Sequence, residues 1–351
     1  MSETMRREIL GQPELLADIL PGLRRRVADL PLPNGASVWA AGCGDSAFAA
    51  AAMAGWFRSC DVPYRSATAH DLAFHSPVGR GDIVVLMSIS GGTRRTVQAA
   101  GRVKENGAPT IAITCNPESA LAQACDHVLP LGFQPISRRT PHTADYLATL
   151  LALAMLGETW GGRPADQLNG VPGAIEETIA ATKDTAMAFG ADLHESGKLF
   201  VLGQGGNRAT ADYIAAKYHE SGGLPALAAE TENFVHGMNF MVDPDDSVLI
   251  LGGDGDGASR ADELAATMGR LCRSVALARA DGAAAAQSTP LAGATIGPAL
   301  SPFVLTTIGQ LVCLGTVTAR GLPVEETRAG RGDAATHGDV QSLWMTTTRI
   351  D

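Results

Sequence analysis

Short apolar runs alternate with longer stretches of helical periodicity through the first half of the chain. The apolar runs end at polar or glycine-rich turns and predict strands, at 38–41, 82–87, 110–114 and 128–131. The stretches between them predict helices, at 47–59, 97–104 and 144–158. Residues 62–64 predict a short edge strand, followed by a loop that opens at His70. Strands that alternate with helices indicate an α/β fold in which a parallel sheet is covered on both faces.

The same pattern restarts near residue 196. The segment SVWAAGCGDS (37–46) aligns without gaps with KLFVLGQGGN (198–207), 161 residues later. The runs at 81–86 and 110–114 have counterparts at 245–250 and 274–278. We therefore predict an internal duplication that gives two similar α/β lobes. The predicted domains are a helical lead-in (1–35), a first lobe (36–165), a connecting helix (166–195) and a second lobe with the tail (196–351).

Composition and charge exclude several classes of protein. The formal net charge of −10 and the pI near 5.3 disfavour nucleic acid as a partner, because phosphate backbones select basic surfaces. The longest apolar run, 147–157, is shorter than the roughly 20 residues that span a bilayer, so no membrane partner is expected. The first residues lack the apolar core of a signal peptide, and the six cysteines show no C-x-x-C spacing. We expect a cytoplasmic protein with free, buried thiols.

The strand at 82–87 runs into three hydroxyl residues separated by glycines, SISGGT (88–93), and a helix is predicted to begin near Arg94. A strand, a glycine turn and a helix N-terminus can together bind an anion through backbone N–H groups, hydroxyl donors and the helix dipole. An ordinary strand-to-helix turn, capped by Ser or Thr, has the same residue types. The second copy of this loop, GGDGDG (252–257), carries two aspartates that would repel an anion. We therefore expect one anion site, in the first lobe.

Four signatures occur in order along the chain. They are MRREILGQP (5–13), GCGDS (42–46), SISGGT (88–93), and KYHE (217–220) followed by His236 and Gly237. Together they resemble the sugar isomerase (SIS) domain family, and in particular its double-SIS group. That group includes the isomerase half of glucosamine-6-phosphate synthase and related ketose–aldose isomerases, deaminases and deglycases. The resemblance implies an α/β fold of two doubly wound parallel-sheet sandwiches, each of αβα layers.

The resemblance also implies roles for individual residues. In the second lobe, Glu220 would be the base that moves a proton between C1 and C2, and Lys217 would contact the substrate near its reacting end. His236 would open the sugar ring, in some relatives from the neighbouring subunit, so a homodimer is expected. The family chemistry needs neither a metal nor an organic cofactor. The residues implied in holding the anionic sugar group are Ser88, Ser90, Thr93, Ser46, Gly44 and Gly91.

The residue types fit this chemistry. A carboxylate on a mostly buried helix has a raised pKa and can both take and return a proton next to a carbonyl. A histidine that titrates near neutrality suits ring opening. Lys217 lies among apolar residues and is expected to be partly buried and paired with Glu220, three residues on. Without the resemblance, a solvated position is the simpler interpretation of Glu220 and His236, and Glu230 and Glu232 are second candidates for the acid/base role.

Three features depart from the synthase pattern. Arg138, Arg139 and His142 stand in a loop that is small and neutral in relatives, and they indicate a more anionic substrate or an altered anion pocket. The tail from 328 to 351 contains no lysine, whereas the synthase isomerase closes its site with one. Either His337 or Arg331 takes that place, or the closing step is absent. The chain starts Met-Ser, without an N-terminal cysteine, so glutamine-dependent amination is not expected.

These features lead to one main hypothesis and two alternatives. The main hypothesis is an aldose–ketose isomerase of a hexose with a terminal anionic group, a 6-phosphate by default or a 6-sulfonate such as that of sulfoquinovose. The same Glu220 would serve a deaminase or deglycase of 6-phospho ketosamines. A non-catalytic sensor of sugar phosphates is disfavoured by the acidic charge and by the lack of a basic helix-turn-helix sequence.

Overall fold

The computed structural model describes residues 2–30, 37–137, 141–163, 166–252, 257–281, 288–325, 328 and 332–348. The chain divides into two compact units, each with its own sheet. The first-sheet unit contains Glu14–Pro135, Ala144–Asn169 and Arg331–Asp351, and the second-sheet unit contains Met1–Pro13, Ile136–Thr143 and Gly170–Gly330.

All strand pairings among the described residues are parallel, in two sheets of five strands. The first sheet has the order β2-β1-β3-β4-β5 and the second has the order β7-β6-β8-β9-β10. The strands are β1 (Ser37–Gly42), β2 (Tyr64–Thr68), β3 (Asp82–Met87), β4 (Thr110–Thr114), β5 (His127–Pro130), β6 (Leu199–Gly203), β7 (Ala226–Glu230), β8 (Ser247–Gly252), β9 (Ser274–Arg279) and β10 (Thr289–Ala292).

Helices connect the strands, and two of the long ones, at 144–160 and 301–319, are apolar and buried along almost their whole length. The helices are α1 (Glu3–Leu10), α2 (Gln12–Ala28), α3 (Asp45–Ala52), α4 (Ala54–Ser59), α5 (Ala69–Phe74), α6 (Arg94–Glu105), α7 (Ala120–Ala124), α8 (Ala144–Trp160), α9 (Val171–Ala191), α10 (Gly206–Glu220), α11 (Thr231–Val235), α12 (Ala258–Met268), α13 (Ser301–Ala319) and α14 (Ala334–Thr348). Short 3-10 helices lie at Gln167–Gly170, Met238–Met241 and Pro298–Leu300.

The two sheets share one topology, which confirms the predicted duplication. In each sheet the first strand along the chain pairs with both the second and the third, and the remaining strands follow outward on one side. The match extends to the backbone at two glycines that the alignment places together. Gly44 has φ 55° and ψ −126°, and Gly205 has φ 53° and ψ −129°. Each stands at the N-cap of the helix after its strand, in a conformation that L side chains rarely adopt.

Three predicted elements differ from the structure. The predicted helix 47–59 is two helices, α3 and α4, that meet at Met53. The predicted loop at His70 is a helix, α5, because the Thr68 hydroxyl accepts a hydrogen bond from the Asp71 amide and caps its first turn. The expectation that no apolar segment reaches the length of a bilayer is wrong for Pro298–Ala319, whose 22 residues are long and apolar enough, by length and composition, to cross a membrane. This segment is buried throughout in the second-sheet unit, as a core helix is.

A buried ion pair joins α2 to α8 in the first-sheet unit. Arg24 Nη1 lies 3.3 Å from Glu158 Oε2, and the Glu158 side chain is 2% exposed. Arg24 Nη2 donates a hydrogen bond to Asn169 Oδ1 at 3.0 Å. Loss of solvation raises the pKa of the Glu158 carboxyl, against the opposing effect of Arg24. The folded chain therefore holds a proton at Glu158 to higher pH than the unfolded chain does.

The substitution Glu158→Gln should remove the contribution of Glu158 to the pH dependence of the free energy of unfolding. Because the raised pKa belongs to the folded state, this contribution to wild-type stability should fall as pH rises from about 4, the ordinary glutamate pKa, toward neutrality, so the two proteins should differ in the slope of unfolding free energy against pH. Urea unfolding between pH 4 and 7 would measure this slope in both proteins. Glu105→Gln is a matched control, because the Glu105 side chain is 69% exposed beside Arg102, and it should leave the slope unchanged. Parallel wild-type and Glu158→Gln curves would refute the assignment.

Candidate active site

The hydroxyl loop after β3 folds into a compact turn in the first-sheet unit. The hydroxyl oxygens of Ser88 and Thr93 lie 2.9 Å apart. The Gly91 amide donates to Ser88 Oγ at 3.1 Å, and the Gly92 amide donates to Ser90 Oγ at 3.3 Å. Helix α6 begins at Arg94, as predicted. The hydroxyls of Ser88, Ser90 and Thr93 are thus held at one helix N-terminus by contacts inside the loop.

Gly91 is required by the shape of this turn. Its φ is +68°, and a Cβ atom there would lie 1.9 Å from Ser119 Oγ and 2.2 Å from Ser119 Cβ. The Gly91 carbonyl accepts a hydrogen bond from the Leu121 amide at 2.9 Å, so the turn is fastened to the start of α7. Neither the backbone nor the space tolerates a side chain at this position.

The N-terminus of α6 has the features of an anion site. Thr93 is the N-cap residue, but its side chain does not cap the helix and bonds Ser88 instead. No acidic residue stands in the first turn, where Arg94 and Arg95 are exposed. Cations at a positive helix end are modestly unfavourable, and a bound anion would offset this cost. Arg94 and Arg95 were not among the residues predicted for the anion site, although basic residues directly after a glycine turn are a usable signal for one.

The turn after β1 lies next to this loop. Gly42 pairs with Met87 in the register of β1 and β3, so the turns after these strands leave the same edge of the sheet. Gly44 has the positive φ described above, and Ser46 is 8% exposed in the first turn of α3. A Cβ atom on Gly42 would lie 2.3 Å from Ser46 Cβ and 2.9 Å from the Met87 carbonyl oxygen. The six candidate anion-binding residues therefore occupy two adjacent turns.

Cys43 corrects the expectation that all the thiols are buried. All six cysteines are free, but Cys43 is exposed in the turn after β1. The Thr96 hydroxyl donates to its sulfur at 3.8 Å, which places the thiol beside α6. The other five cysteines are buried, as predicted.

Lys217 and Glu220 form an ion pair at the end of α10, in the second-sheet unit. Lys217 Nζ lies 2.6 Å from Glu220 Oε2, and the Lys217 side chain is 1% exposed. The ammonium also lies 5.1 Å from the centre of the Tyr213 ring, within the range of a cation–π contact. The predicted pairing is confirmed. The helix is mostly buried, as expected, but the Glu220 side chain at its end is 46% exposed, which agrees with the solvated position that the residues alone favoured.

His236 ends α11 and is exposed. Two hydrogen bonds from Arg260 lower the pKa of the Glu232 carboxyl, and the nearby His236 ring lowers it further. Glu230 caps α11 by accepting from the Asn233 amide at 2.9 Å. Glu230 and Glu232, the second acid/base candidates, therefore have structural partners that account for them.

The remaining predicted contacts divide between the two units. The carbonyl oxygen of the half-buried His142 accepts a hydrogen bond from Tyr213 Oη at 2.8 Å, in the second-sheet unit. His337 is half-buried on α14, which packs on α6 in the first-sheet unit. Arg138, Arg139 and Arg331 lie outside the described residues, as do 253–256 of the second-lobe loop. Within the described ranges, no group of three or more His, Cys, Asp or Glu side chains is placed to hold a metal ion.

This chain spans little more than half of the length of two curated relatives that it matches. The glutamine–fructose-6-phosphate aminotransferase [isomerizing] of Corynebacterium diphtheriae is 23% identical over 356 residues, covering 92% of this chain and 56% of the relative. The fructosamine deglycase FrlB of Bacillus subtilis is 26% identical over 190 residues, covering 52% of this chain and 58% of the relative.

Solved structures share the fold of the whole chain. The tagatose-6-phosphate ketose/aldose isomerase of Escherichia coli superposes with a TM-score of 0.78 at 18% identity, covering 91% of this chain and 93% of that one. The model of the SIS domain matches residues 36–158 and 192–295, which include both sheets and both candidate turns. The chain therefore belongs to the SIS domain family, with two copies of the domain.

Proposed function

We propose that the chain is a cofactor-free aldose–ketose isomerase of a hexose with a terminal anionic group. The observation that carries this proposal is the Lys217–Glu220 pair, a carboxylate at 2.6 Å from an ammonium that is 1% exposed. A buried lysine beside a solvent-facing carboxylate suits proton transfer next to a carbonyl, because the carboxylate can take the proton and the cation can stabilise the oxygen on which negative charge develops.

Each residue of the pair has a separate task in this reaction. Glu220 removes the proton from C2 of the open-chain aldose and returns it to C1, while the proton on the C2 hydroxyl moves to the oxygen on C1. The intermediate is an enediolate, and Lys217 supplies the charge that stabilises it. When Glu220 takes up the proton, Lys217 loses its counter-charge and is available to the enediolate oxygen. His236, exposed at the end of α11, opens the ring before this step.

The turns after β1 and β3 supply the anion contacts. Hydroxyls of Ser88, Ser90 and Thr93, the uncapped N-terminus of α6 and the cations Arg94 and Arg95 suit a group with several anionic oxygens. A phosphate and a sulfonate both present three such oxygens. Phosphate is the first choice because the names of several relatives refer to sugar 6-phosphates.

A deglycase or deaminase of a 6-phospho ketosamine is the second candidate. The similarity to fructosamine deglycase FrlB favours it, because that alignment covers 52% of this chain. Both reactions need proton transfer at C1 and C2, so Glu220 serves either. They differ in whether a C–N bond is broken.

Incubation in deuterium oxide with single substrates would separate these candidates. The panel is fructose 6-phosphate, glucosamine 6-phosphate, 6-phospho fructose-lysine and sulfoquinovose, with fructose as the uncharged control. Deuterium at C2 of the aldose formed from fructose 6-phosphate, or of sulfoquinovose recovered from the incubation, identifies an isomerase. Release of ammonia or of a free amine from either of the amino sugars identifies the second candidate. Failure of all four anionic sugars to exchange or react would contradict both.

The double substitution Ser90→Ala/Thr93→Ala should raise KM for the reacting anionic sugar by roughly 10- to 100-fold, because two hydrogen bonds to a charged group are lost. The kcat should change much less, since these hydroxyls are not assigned to the proton transfer. Thr68→Ala is a matched control, because its hydroxyl caps α5 on the same unit. An unchanged KM in the double variant would contradict the assignment of the anion site.

A further inference from the structure

Tyr213 is a fully buried residue of α10 that contacts two parts of the second-sheet unit at once. Its side chain is 0% exposed. The face of its ring lies 5.1 Å from Lys217 Nζ. At the other end of the side chain, Tyr213 Oη donates to the carbonyl oxygen of His142 at 2.8 Å. One rigid ring therefore lies between the candidate catalytic pair and the 141–143 segment.

Gln310 fixes both the tyrosine and the segment. It is 1% exposed in the otherwise apolar helix α13, and its Nε2 donates to Tyr213 Oη at 2.9 Å and to the Thr143 carbonyl oxygen at 3.2 Å. Thr143 Oγ1 in turn donates to the buried carboxylate of Glu8 at 2.8 Å. Two successive carbonyl groups, of residues 142 and 143, are thus held by side chains of α10 and α13.

Hydrogen bonds between buried polar groups are strong in the low dielectric of the interior, so the bonds of Tyr213 and of Gln310 Nε2 indicate a fixed geometry for the segment. Among the described residues, Gln310 Oε1 has no hydrogen-bond partner. The candidate loop residue His142 is fastened to the element that carries Lys217. The Tyr213 side chain has only two χ angles, so it fixes the position of the segment relative to Lys217 more closely than a flexible side chain would.

We propose that Tyr213 is a positioning residue for substrate specificity. It fixes the position of the 141–143 segment relative to the Lys217 ammonium. Its hydroxyl holds the segment and its ring holds the ammonium. The kinetic part of this proposal rests on the proposed isomerase function, whereas the placement of the segment does not.

The test separates the hydroxyl from the ring. Tyr213→Phe keeps the ring beside Lys217 and removes the donor to His142. We expect KM for the anionic sugar to rise by about 5-fold or more, the worth of one buried hydrogen bond, with kcat within about 3-fold of wild type. Tyr213→Leu removes the ring as well, and we expect kcat to fall in addition.

Hydrogen exchange gives a readout that does not depend on activity. The peptide that covers 141–146 should exchange its amide hydrogens faster in Tyr213→Phe than in wild type. Gln310→Leu removes the donor to the Thr143 carbonyl oxygen and should also speed exchange at 141–146. Faster exchange in both variants would show that the effect does not come from a folding defect specific to Tyr213→Phe. Tyr218→Phe is the matched control, because this buried tyrosine of the same helix bonds Thr316 on α13. It should change neither KM nor exchange at 141–146.

The outcomes distinguish this proposal from the proposed function. If wild type reacts and Tyr213→Phe keeps its KM, or if the 141–146 peptide exchanges equally in both, the positioning role is overturned. A general drop in stability with equal effects of Tyr213→Phe and Tyr218→Phe would also overturn it, since both would then be core residues only. If wild type reacts with no sugar while Tyr213→Phe still speeds exchange at 141–146, the isomerase function fails and the placement of the segment by Tyr213 holds.

Discussion

Glu220→Gln is expected to lower kcat of the reacting sugar by about 10²- to 10⁴-fold, with a small change in KM. Glutamine keeps an oxygen that can accept from Lys217 Nζ but cannot take up a proton. The variant should stay folded because the Glu220 side chain is 46% exposed. Steady-state kinetics, with thermal unfolding as a check on the fold, would measure the effect.

Glu232→Gln is the matched control for this substitution. The Glu232 side chain is 50% exposed and paired with Arg260, so it resembles Glu220 in exposure and in having a cationic partner. It should keep kcat within a few-fold of wild type. Loss of turnover in Glu232→Gln with retention in Glu220→Gln would move the base to the other carboxylate and contradict the assignment.

Gly91→Ala is expected to destabilise the first-sheet unit and to abolish binding of an anionic sugar. The new Cβ atom would occupy a positive φ, which costs about 1 kcal/mol, and would overlap Ser119, at an overpacking cost of about 1–3 kcal/mol. The turn would shift to relieve this overlap, and the Ser88 and Ser90 hydroxyls bonded to its amides would shift with it. Urea unfolding and calorimetric titration with glucitol 6-phosphate would measure both effects.

Two further variants test whether overlap with Ser119 causes the loss of stability and of binding. Adding Ser119→Gly to Gly91→Ala removes both overlapping atoms and should recover part of the stability. Gly101→Ala adds the same methyl group on α6, where a Cβ atom meets nothing within 4 Å, and should leave binding intact. Equal stability of Gly91→Ala and Gly101→Ala would show that the turn does not depend on Gly91.

Most of the first lobe could be predicted from the sequence because local signals there agree. Strands β1, β3 and β4 are continuous apolar runs, buried on both faces, and each ends at a glycine or hydroxyl turn. The start of α6 at Arg94 follows from SISGGT, and the duplication follows from the paired G-x-G turns. Hydrophobic periodicity and turn residues are properties of short segments, so they can be recognised in a single sequence.

The parts that could not be predicted depend on packing between distant residues. The near-complete burial of Lys217, at 1% exposure against the Tyr213 ring, depends on how α10 packs, and the sequence of α10 indicated only partial burial. Tyr213 reads as an ordinary core residue until its contacts with His142 and Gln310, 71 and 97 residues away, are known. The long helix α13 was not predicted, because a helix that is apolar on every side shows no amphipathic periodicity in its sequence.

The central claim is that this chain moves a proton between C1 and C2 of an anionic hexose through Glu220. Its most direct test is the appearance of deuterium at C2 of the aldose when the wild-type protein and Glu220→Gln are incubated with fructose 6-phosphate or 6-deoxy-6-sulfofructose in deuterium oxide. We predict incorporation by wild type for at least one of these sugars, none for fructose, and a rate lower by about 10²- to 10⁴-fold in Glu220→Gln. Equal incorporation by the two proteins, or none by wild type with either anionic sugar, would contradict the claim.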